Sequence, residues 1–96
     1  MPMYVQLLTW TERGSAAAKE TVQRAQQARE QAQKLGARLR DIYWTMGRYD
    51  AVAILEAPND ETASGVALAV GAKGFVRTET LRAYTEEEIA QIVAGL

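Results

Sequence analysis

Hydrophobic and polar residues follow two different periods along the chain, and each change of period marks a new secondary-structure element. Residues 3–10 alternate as a β-strand does, with large apolar side chains on both faces. Residues 16–35 carry Ala, Val and Leu at helical spacing, which predicts a helix whose alanine-rich stripe lies close to a sheet. Ser15 is placed to cap the start of this helix, and Gly36 to end it in a left-handed conformation.

Two further strand patterns lie at the centre of the chain, at residues 37–46 and 49–57. Gly47-Arg48 separates them, which predicts a β-hairpin with a two-residue type II′ turn, because glycine takes the required positive φ without steric cost. A second helix is predicted at residues 61–72.

The last part of the chain predicts a strand at residues 75–84 and then a short C-terminal helix. A capping box starts this helix, with the Thr85 hydroxyl and the Glu88 carboxylate each bonding the other residue's backbone N–H. The order is β-α-β-β-α-β with a final helix, and residues 1–96 are interpreted as a single domain. This order predicts the ferredoxin-like fold of the α+β class, with a four-stranded antiparallel sheet, the main helices on one face, and the first and third strands central.

The ferredoxin-like plan leaves one face of the sheet without helices, yet the strands carry apolar side chains on both faces. A chain of 96 residues buries only about two thirds of its unfolded surface on its own. Association through the open sheet face, as a homodimer or a homotrimer, would bury more. The sequence therefore predicts that the chain is never a stable monomer.

The second helix is apolar around most of its circumference, since no polar side chain follows Ser64 until Lys73. Such a helix is normally buried on all sides, so the side away from its own sheet needs a partner. That partner is either the same chain or a second protein chain in a higher-order assembly. The predicted assembly interface comprises Val66, Leu68, Ala69, Val70, Ala72 and Phe75.

Composition argues against several common classes of function. Lysine and arginine together number 11 against 12 Asp and Glu, so the chain lacks the positive field that attracts nucleic acid or anionic membranes. Cysteine and histidine are absent, which removes the thiolate nucleophile, the zinc finger, the commonest general base and the usual haem ligand. No apolar run approaches the ~20 residues that span a bilayer, and no signal-peptide pattern is present. We expect a cytoplasmic protein without cofactor or metal, and without nucleic-acid or membrane partners.

Aromatic and charged residues on the strands form a candidate ligand site. The set is Tyr4, Trp10, Tyr43, Tyr49, Asp50, Arg77 and Glu79. The aromatic members, with Trp44, suit a flat ligand, although strand aromatics more often belong to a core or an interface. Asp50 is a candidate base or ligand anchor, but we favour bonds to backbone donors in the hairpin or a pair with Arg48 or Arg77. Arg77 and Glu79 are either a polar anchor or, more simply, an ion pair. No catalytic residue is identified.

Four features, in this order along the chain, resemble the GYD-domain family, which is named for a glycine, tyrosine, aspartate signature. They are Trp10 after the first strand, Thr45-Met46-Gly47-Arg48-Tyr49-Asp50, Glu56-Ala57-Pro58-Asn59-Asp60-Glu61, and the run from Val76 to Thr85. The signature is present here as Gly47-Arg48-Tyr49-Asp50. The resemblance implies a small ferredoxin-like, self-associating protein of unestablished function, related in shape to the dimeric α/β-barrel proteins.

Two helical segments depart from the pattern of such proteins. Residues 65–72 are less polar, and the first helix begins with Ala16-Ala17-Ala18 and is otherwise rich in glutamine and alanine. Small apolar residues on an otherwise exposed helix are what a designer places to create a docking surface. One interpretation is an engineered variant that forms a subunit of a larger symmetric assembly such as a nanocage, and ordinary drift is the other.

Three hypotheses of function from different classes are consistent with the sequence. The first, which we favour, is a non-catalytic, self-associating structural or interaction module. The second is a small-ligand sensor with the ligand between subunits, because the effector domains of leucine-responsive regulators have a similar hairpin, although no DNA-binding domain is present in these residues. The third is a cofactor-free monooxygenase of the dimeric α/β-barrel type, for which the chain offers no base other than a carboxylate.

Overall fold

The chain folds into four β-strands and four α-helices, and the computed structural model describes residues 1–96. The strands are β1 (Met3–Trp10), β2 (Arg38–Trp44), β3 (Ala51–Glu56) and β4 (Val76–Ala83). The α-helices are α1 (Glu12–Ala16), α2 (Thr21–Lys34), α3 (Asp60–Ala72) and α4 (Glu86–Ala94), with a 3₁₀ turn at Ala18–Glu20 before α2. None of these helices has the length and apolar character needed to cross a membrane.

The four strands form one antiparallel sheet in the order β2-β3-β1-β4, which confirms the ferredoxin-like α+β prediction and the central position of the first and third strands. Tyr4 of β1 pairs with Leu55 of β3 on one side and with Arg82 of β4 on the other. Side chains alternate along a strand, so this register places the even-numbered residues of β1 on the face that α2 and α3 cover. The odd-numbered residues point to the uncovered face.

The segment between β1 and α2 differs from the prediction of one helix over residues 16–35 with Ser15 as its cap. Thr11 is the observed cap, because its hydroxyl accepts a bond from the Gly14 N–H at 3.1 Å and starts the short helix α1. The Thr11 N–H donates to the carbonyl of Phe75 at 3.1 Å, and the Thr11 hydroxyl donates to that of Gly74 at 2.6 Å. These bonds to the start of β4 hold α1 against the sheet, so the long helix begins only at Thr21.

The hairpin between β2 and β3 is wider than the predicted two-residue turn at Gly47-Arg48. Its closing bond runs from the Thr45 N–H to the Asp50 carbonyl at 3.0 Å, which leaves a four-residue loop over residues 46–49. Gly47 does adopt a positive φ of 101° within this loop. The two-residue type II′ prediction is wrong because the strands close at Thr45 and Asp50 rather than at Met46 and Tyr49. The Asp50 N–H is directed to β1 instead, where it donates to the Leu8 carbonyl at 2.8 Å.

The core lies between the helices and the covered sheet face, and small side chains dominate it. Leu55 and Val66 are its largest fully buried members. The remaining core residues are Tyr4, Ala32, Ala37, Ala57 and Ala63. Ala32 of α2 and Ala63 of α3 are fully buried against the sheet. The alanine-rich stripe predicted for the first helix is buried at Ala25 and Ala32, whereas Val22 and Leu35, which were expected to share that stripe, are exposed. Only 12 of 96 residues are buried, so this core is small for the chain.

The C-terminal helix α4 begins with the predicted capping box. The Thr85 hydroxyl accepts from the Glu88 N–H at 3.1 Å, and the Glu88 carboxylate accepts from the Thr85 N–H at 2.9 Å. The bond from the Thr85 N–H and the neighbouring Arg82 guanidinium, 3.4 Å away, hold the pKa of Glu88 below its ordinary value. No other element packs broadly against α4, and its apolar side chains are exposed. They are Ile89, Ile92 and Val93, and Leu96, which follows the end of the helix, is exposed as well.

Candidate functional site

The uncovered face of the sheet, called here the open face, has an apolar centre built from three adjacent strands. Val5 lies between Ile54 and Leu81, and Leu7 lies between Val52 and Glu79. The open face is defined by Val5, Leu7, Val52, Ile54 and Leu81. No helix of the same chain covers these side chains, so the face presents a contiguous apolar surface of the kind that marks an interaction site.

Charged groups of both signs lie at the two ends of the open face. At one end the Tyr49 hydroxyl donates to the Glu79 carboxylate at 3.3 Å. Arg77, two residues before Glu79, lies on the same side of β4. At the other end the Glu56 carboxylate is 3.7 Å from the Arg40 guanidinium and 4.0 Å from that of Arg38. Apolar centre and charged ends together resemble the core and rim of a protein interface.

The predicted ligand-binding residues divide between the two faces of the sheet. Tyr43, Tyr49, Arg77 and Glu79 lie on the open face. Tyr4 and Trp10 lie on the covered face, so the predicted set does not form one pocket. The Tyr4 hydroxyl donates to the Asp60 carboxylate at 2.6 Å, which ties β1 to the start of α3. This hydrogen bond to Asp60, followed by burial, raises the pKa of Tyr4.

Asp50 has a structural role, as favoured from the sequence, but its hydrogen-bond partner differs from the predicted ones. Its carboxylate accepts from the backbone N–H of Trp10 at 2.8 Å rather than from donors within the hairpin. It forms no ion pair with Arg48 or Arg77, since no such pair lies within 4.0 Å. The side chain therefore fastens the hairpin to the end of β1, where the backbone bond to Leu8 also lies.

The predicted assembly interface on the second helix loses some of its members to the core. Val66 is 1% exposed and belongs to the core cluster, and Val70 packs against that cluster. Phe75 lies outside α3, half-buried between the guanidinium groups of Arg13 and Arg24, which stand 4.3 and 4.6 Å from its ring centre. Leu68, which is 74% exposed, remains on the surface with Ala72 and the half-buried Ala69. The helix is thus buried on its Val66 side and exposed on its Leu68 side.

A cavity of about 90 Å³ lies on the covered face, between the sheet and α2, and is called here the inner cavity. Thirteen of its 18 lining residues are hydrophobic. They include Gln6, Trp10, Arg24, Ile42, Trp44 and Val70. Sequence reasoning did not identify Gln6 or Arg24 as site residues. One signal was present for Gln6: it is a polar residue between Tyr4 and Leu8 on a strand face predicted to be largely apolar.

No group of three or more acidic side chains is arranged to hold a metal ion. The site residues offer apolar contact, hydrogen bonding and charged groups of both signs.

Comparison with known proteins gives a family and one curated relative. The model of the GYD domain family matches residues 4–93, which confirms the resemblance seen in the sequence. A protein of Thermus thermophilus named glutamine synthetase and cystathionine beta-lyase binding protein is 28% identical over 97 residues. The alignment covers 100% of this chain and 99% of that protein, so the likeness extends over both chains.

Proposed function

Because the chain belongs to the GYD domain family, we propose that it is a non-catalytic interaction module that associates with itself through the open face and binds other proteins through a second surface. The open face is the observation that carries the first half of this proposal. The name of the relative supports the second half, since it describes a protein that binds two enzymes.

The exposed area of the isolated chain supports self-association. The chain exposes 6384 Å², whereas a folded monomer of this mass exposes about 5,500 Å² by the usual scaling. The excess of about 900 Å² is close to the roughly 800 Å² that each partner buries in a standard interface. The radius of gyration is 14.2 Å, against about 12.5 Å for a compact domain of this length. Pairing of two open faces would bury an area on each chain about equal to this excess.

A second copy of the chain fits the chemistry of the open face. In a two-fold dimer the same patch meets itself, so its apolar centre packs on an apolar centre. Each charged end carries both signs, with Arg77 beside Glu79 at one end and Arg40 beside Glu56 at the other. Neither a parallel nor an antiparallel arrangement of the two sheets therefore forces like charges together. A trimer uses the same face, and the measured mass distinguishes the two.

The helix α4 supports the same association. Its exposed apolar side, with Ile92 and Val93 about half exposed, has no cover within the chain. The helix is nevertheless well started by its capping box, so it is formed rather than frayed at that end. A stable amphipathic helix without a partner in its own chain is suited to pack across the edge of the second copy.

The Leu68 side of α3 is the surface that we assign to other proteins. It lies on a helix over the covered face, so it stays accessible when two open faces meet. Leu68 is flanked by small side chains, Ala69 and Ala72, that let another backbone approach. The finer prediction of an engineered subunit in a symmetric cage uses this same surface, with a second copy in place of an enzyme.

One pair of matched substitutions tests both surfaces. Leu81→Glu places a carboxylate in the open face, and Leu68→Glu makes the same change on α3; both leucines are already substantially exposed, at 45% and 74%. The native mass is measured by light scattering at micromolar concentration for the wild type and both variants. We expect a small oligomer for the wild type, a monomer for Leu81→Glu, and the unchanged small oligomer for Leu68→Glu.

A wild type that is monomeric at these concentrations, or a Leu81→Glu variant that keeps the oligomer, contradicts association through the open face. A larger wild-type particle that Leu68→Glu reduces to the small oligomer indicates the cage-type assembly. For the enzyme partners, immobilised chain is titrated with glutamine synthetase and with cystathionine beta-lyase. We expect binding that Leu68→Glu weakens and that the monomeric variant retains in part. Failure of both enzymes to bind refutes that part of the proposal.

A further inference from the structure

We propose that the inner cavity binds a short monocarboxylic acid with a branched apolar tail. This inference goes beyond the interaction module, because the inner cavity lies on the covered face and the self-association surface lies on the other. It rests on two unpartnered donors, an unpaired positive charge, and an apolar lining that belong to the same cavity.

Gln6 is the first of the two donors. It is a polar residue that is only 3% exposed, yet its Nε2 atom has no hydrogen-bond partner. A buried amide without a partner is unfavourable, and native proteins nearly always supply one. The amide lines the inner cavity, so an acceptor atom placed there would provide the missing bond.

Arg24 supplies the second donor and the charge. Its Nη1 donates to the carbonyl of Ala17 at 2.7 Å, and its guanidinium stands over the ring of Phe75, while Nη2 is buried without a partner. No carboxylate of the chain lies within 4.0 Å of this guanidinium. An arginine stays charged at every physiological pH and prefers a planar anion such as a carboxylate. The free donor therefore selects an acid over a neutral molecule.

Size and lining define the rest of the ligand. A volume of about 90 Å³ is several times the ~30 Å³ share of one water molecule and below the ~150 Å³ of a cavity that holds benzene. Apolar walls, Ile42 and Val70 among them, offer water few partners. A branched tail of about four carbons fits this space, since it is smaller than a benzene ring. Isovalerate has this form.

Both tryptophans of the chain line the inner cavity, so their fluorescence reports its occupancy directly. The wild type is titrated with isovalerate and with isovaleramide, which has the same tail but no charge. We expect a saturable change in the emission of Trp10 and Trp44 with isovalerate, and about tenfold weaker binding of the amide. Isovalerate is also expected to raise the melting temperature of the wild type, because it binds only the folded chain.

Three variants complete the experiment. Arg24→Gln removes the guanidinium and its charge, and Gln6→Leu removes the amide donor. Each is expected to weaken isovalerate binding about tenfold or more. Arg13→Gln is the matched control, because Arg13 stacks on the same Phe75 ring from outside the lining of the cavity and should leave the affinity unchanged. Circular dichroism checks that each variant folds. If Arg24→Gln does not fold, Gln6→Leu and the amide comparison decide the matter.

The proposal is overturned if isovalerate gives no saturable change up to millimolar concentration, if the amide binds as well as the acid, or if Arg13→Gln weakens binding as much as Arg24→Gln. The native mass is recorded for every variant. A variant that loses isovalerate binding but keeps the oligomer has changed the inner cavity alone. A monomeric Leu81→Glu variant that still binds isovalerate shows that ligand binding does not depend on self-association.

Discussion

Replacing Gly14 with alanine should break the contact between α1 and the residues at the start of β4. Gly14 is buried, and a Cβ atom on it would overlap the carbonyl oxygen of Phe75 and lie 3.0 Å from its carbonyl carbon. Backbone atoms cannot rotate away as a flexible side chain can. The short helix α1 must therefore move by more than an ångström, and the contacts that hold it are lost together.

Three hydrogen bonds give the magnitude. The Thr11 N–H bonds the Phe75 carbonyl at 3.1 Å, the Thr11 hydroxyl bonds the Gly74 carbonyl at 2.6 Å, and the Arg13 guanidinium bonds the Lys73 carbonyl at 3.0 Å. At about 0.5–1.5 kcal/mol each, their loss outweighs the ~0.5–1 kcal/mol that alanine gains over glycine in a helix. We expect a net destabilisation of about 1–3 kcal/mol, which lowers the melting temperature by roughly 4–8 °C per kcal/mol.

Gly65→Ala is the matched control. Gly65 lies within α3, and a Cβ atom there meets nothing within 4 Å, so the same substitution should stabilise the chain by about 0.5–1 kcal/mol. Thermal and urea unfolding are followed by circular dichroism at one fixed protomer concentration, because self-association makes the midpoint concentration-dependent. Equal effects of the two substitutions, or a stabilising Gly14→Ala, would refute the close approach of α1 to Phe75.

Two further predictions concern hydrogen bonds whose effect depends on pH. The pKa of Glu88 is lowered in the folded chain, so its bond to the Thr85 N–H stabilises the fold at pH values above the ordinary glutamate pKa. This stabilisation is lost as the pH falls through the lower pKa of the folded state. Glu88→Gln should therefore destabilise the protein near neutral pH, and the difference in urea midpoint between variant and wild type should shrink in acid. The pKa of Tyr4 is raised by its bond to Asp60, so that bond adds stability below the ordinary tyrosine pKa and loses it as the pH rises through the higher folded value. Tyr4→Phe should accordingly lower the unfolding free energy at neutral pH, and the difference from the wild type should narrow in strong alkali. A difference that stays constant with pH would contradict the assignment of the bond.

The elements of this fold were predictable where their determinants are local. The capping box of Thr85 and Glu88 lies within one helical turn, so the two residues satisfy each other whatever the rest of the chain does. The strand periods and their order also follow from neighbouring residues, and they led to the observed sheet order. The start of the long helix was misplaced because Thr11 also donates to the carbonyls of Gly74 and Phe75, which lie far away in the sequence and hold α1 against the sheet.

The sites were predictable only in part, and for a related reason. Alternation along β1 already indicated two apolar faces, which is the basis of the open face. The face of Tyr43 depends on how β2 pairs with β3, and that register is shifted by an irregularity between Leu39 and Asp41. The predicted ligand set therefore combined residues from both faces. Val66 was assigned to an assembly surface because an all-apolar helix pattern does not say which side meets its own sheet.

By itself the sequence determined the element order, the sheet faces that are apolar, and the absence of histidine and cysteine chemistry, because these depend on residue type and on spacing along one element. Only the tertiary structure decided which apolar side chains remain exposed, that Asp50 fastens the hairpin to β1, and that a cavity with an unpartnered Gln6 amide lies beneath α2. Burial and cavity volume depend on the distance and rotation between packed elements, and contacts between residues far apart in the sequence set both.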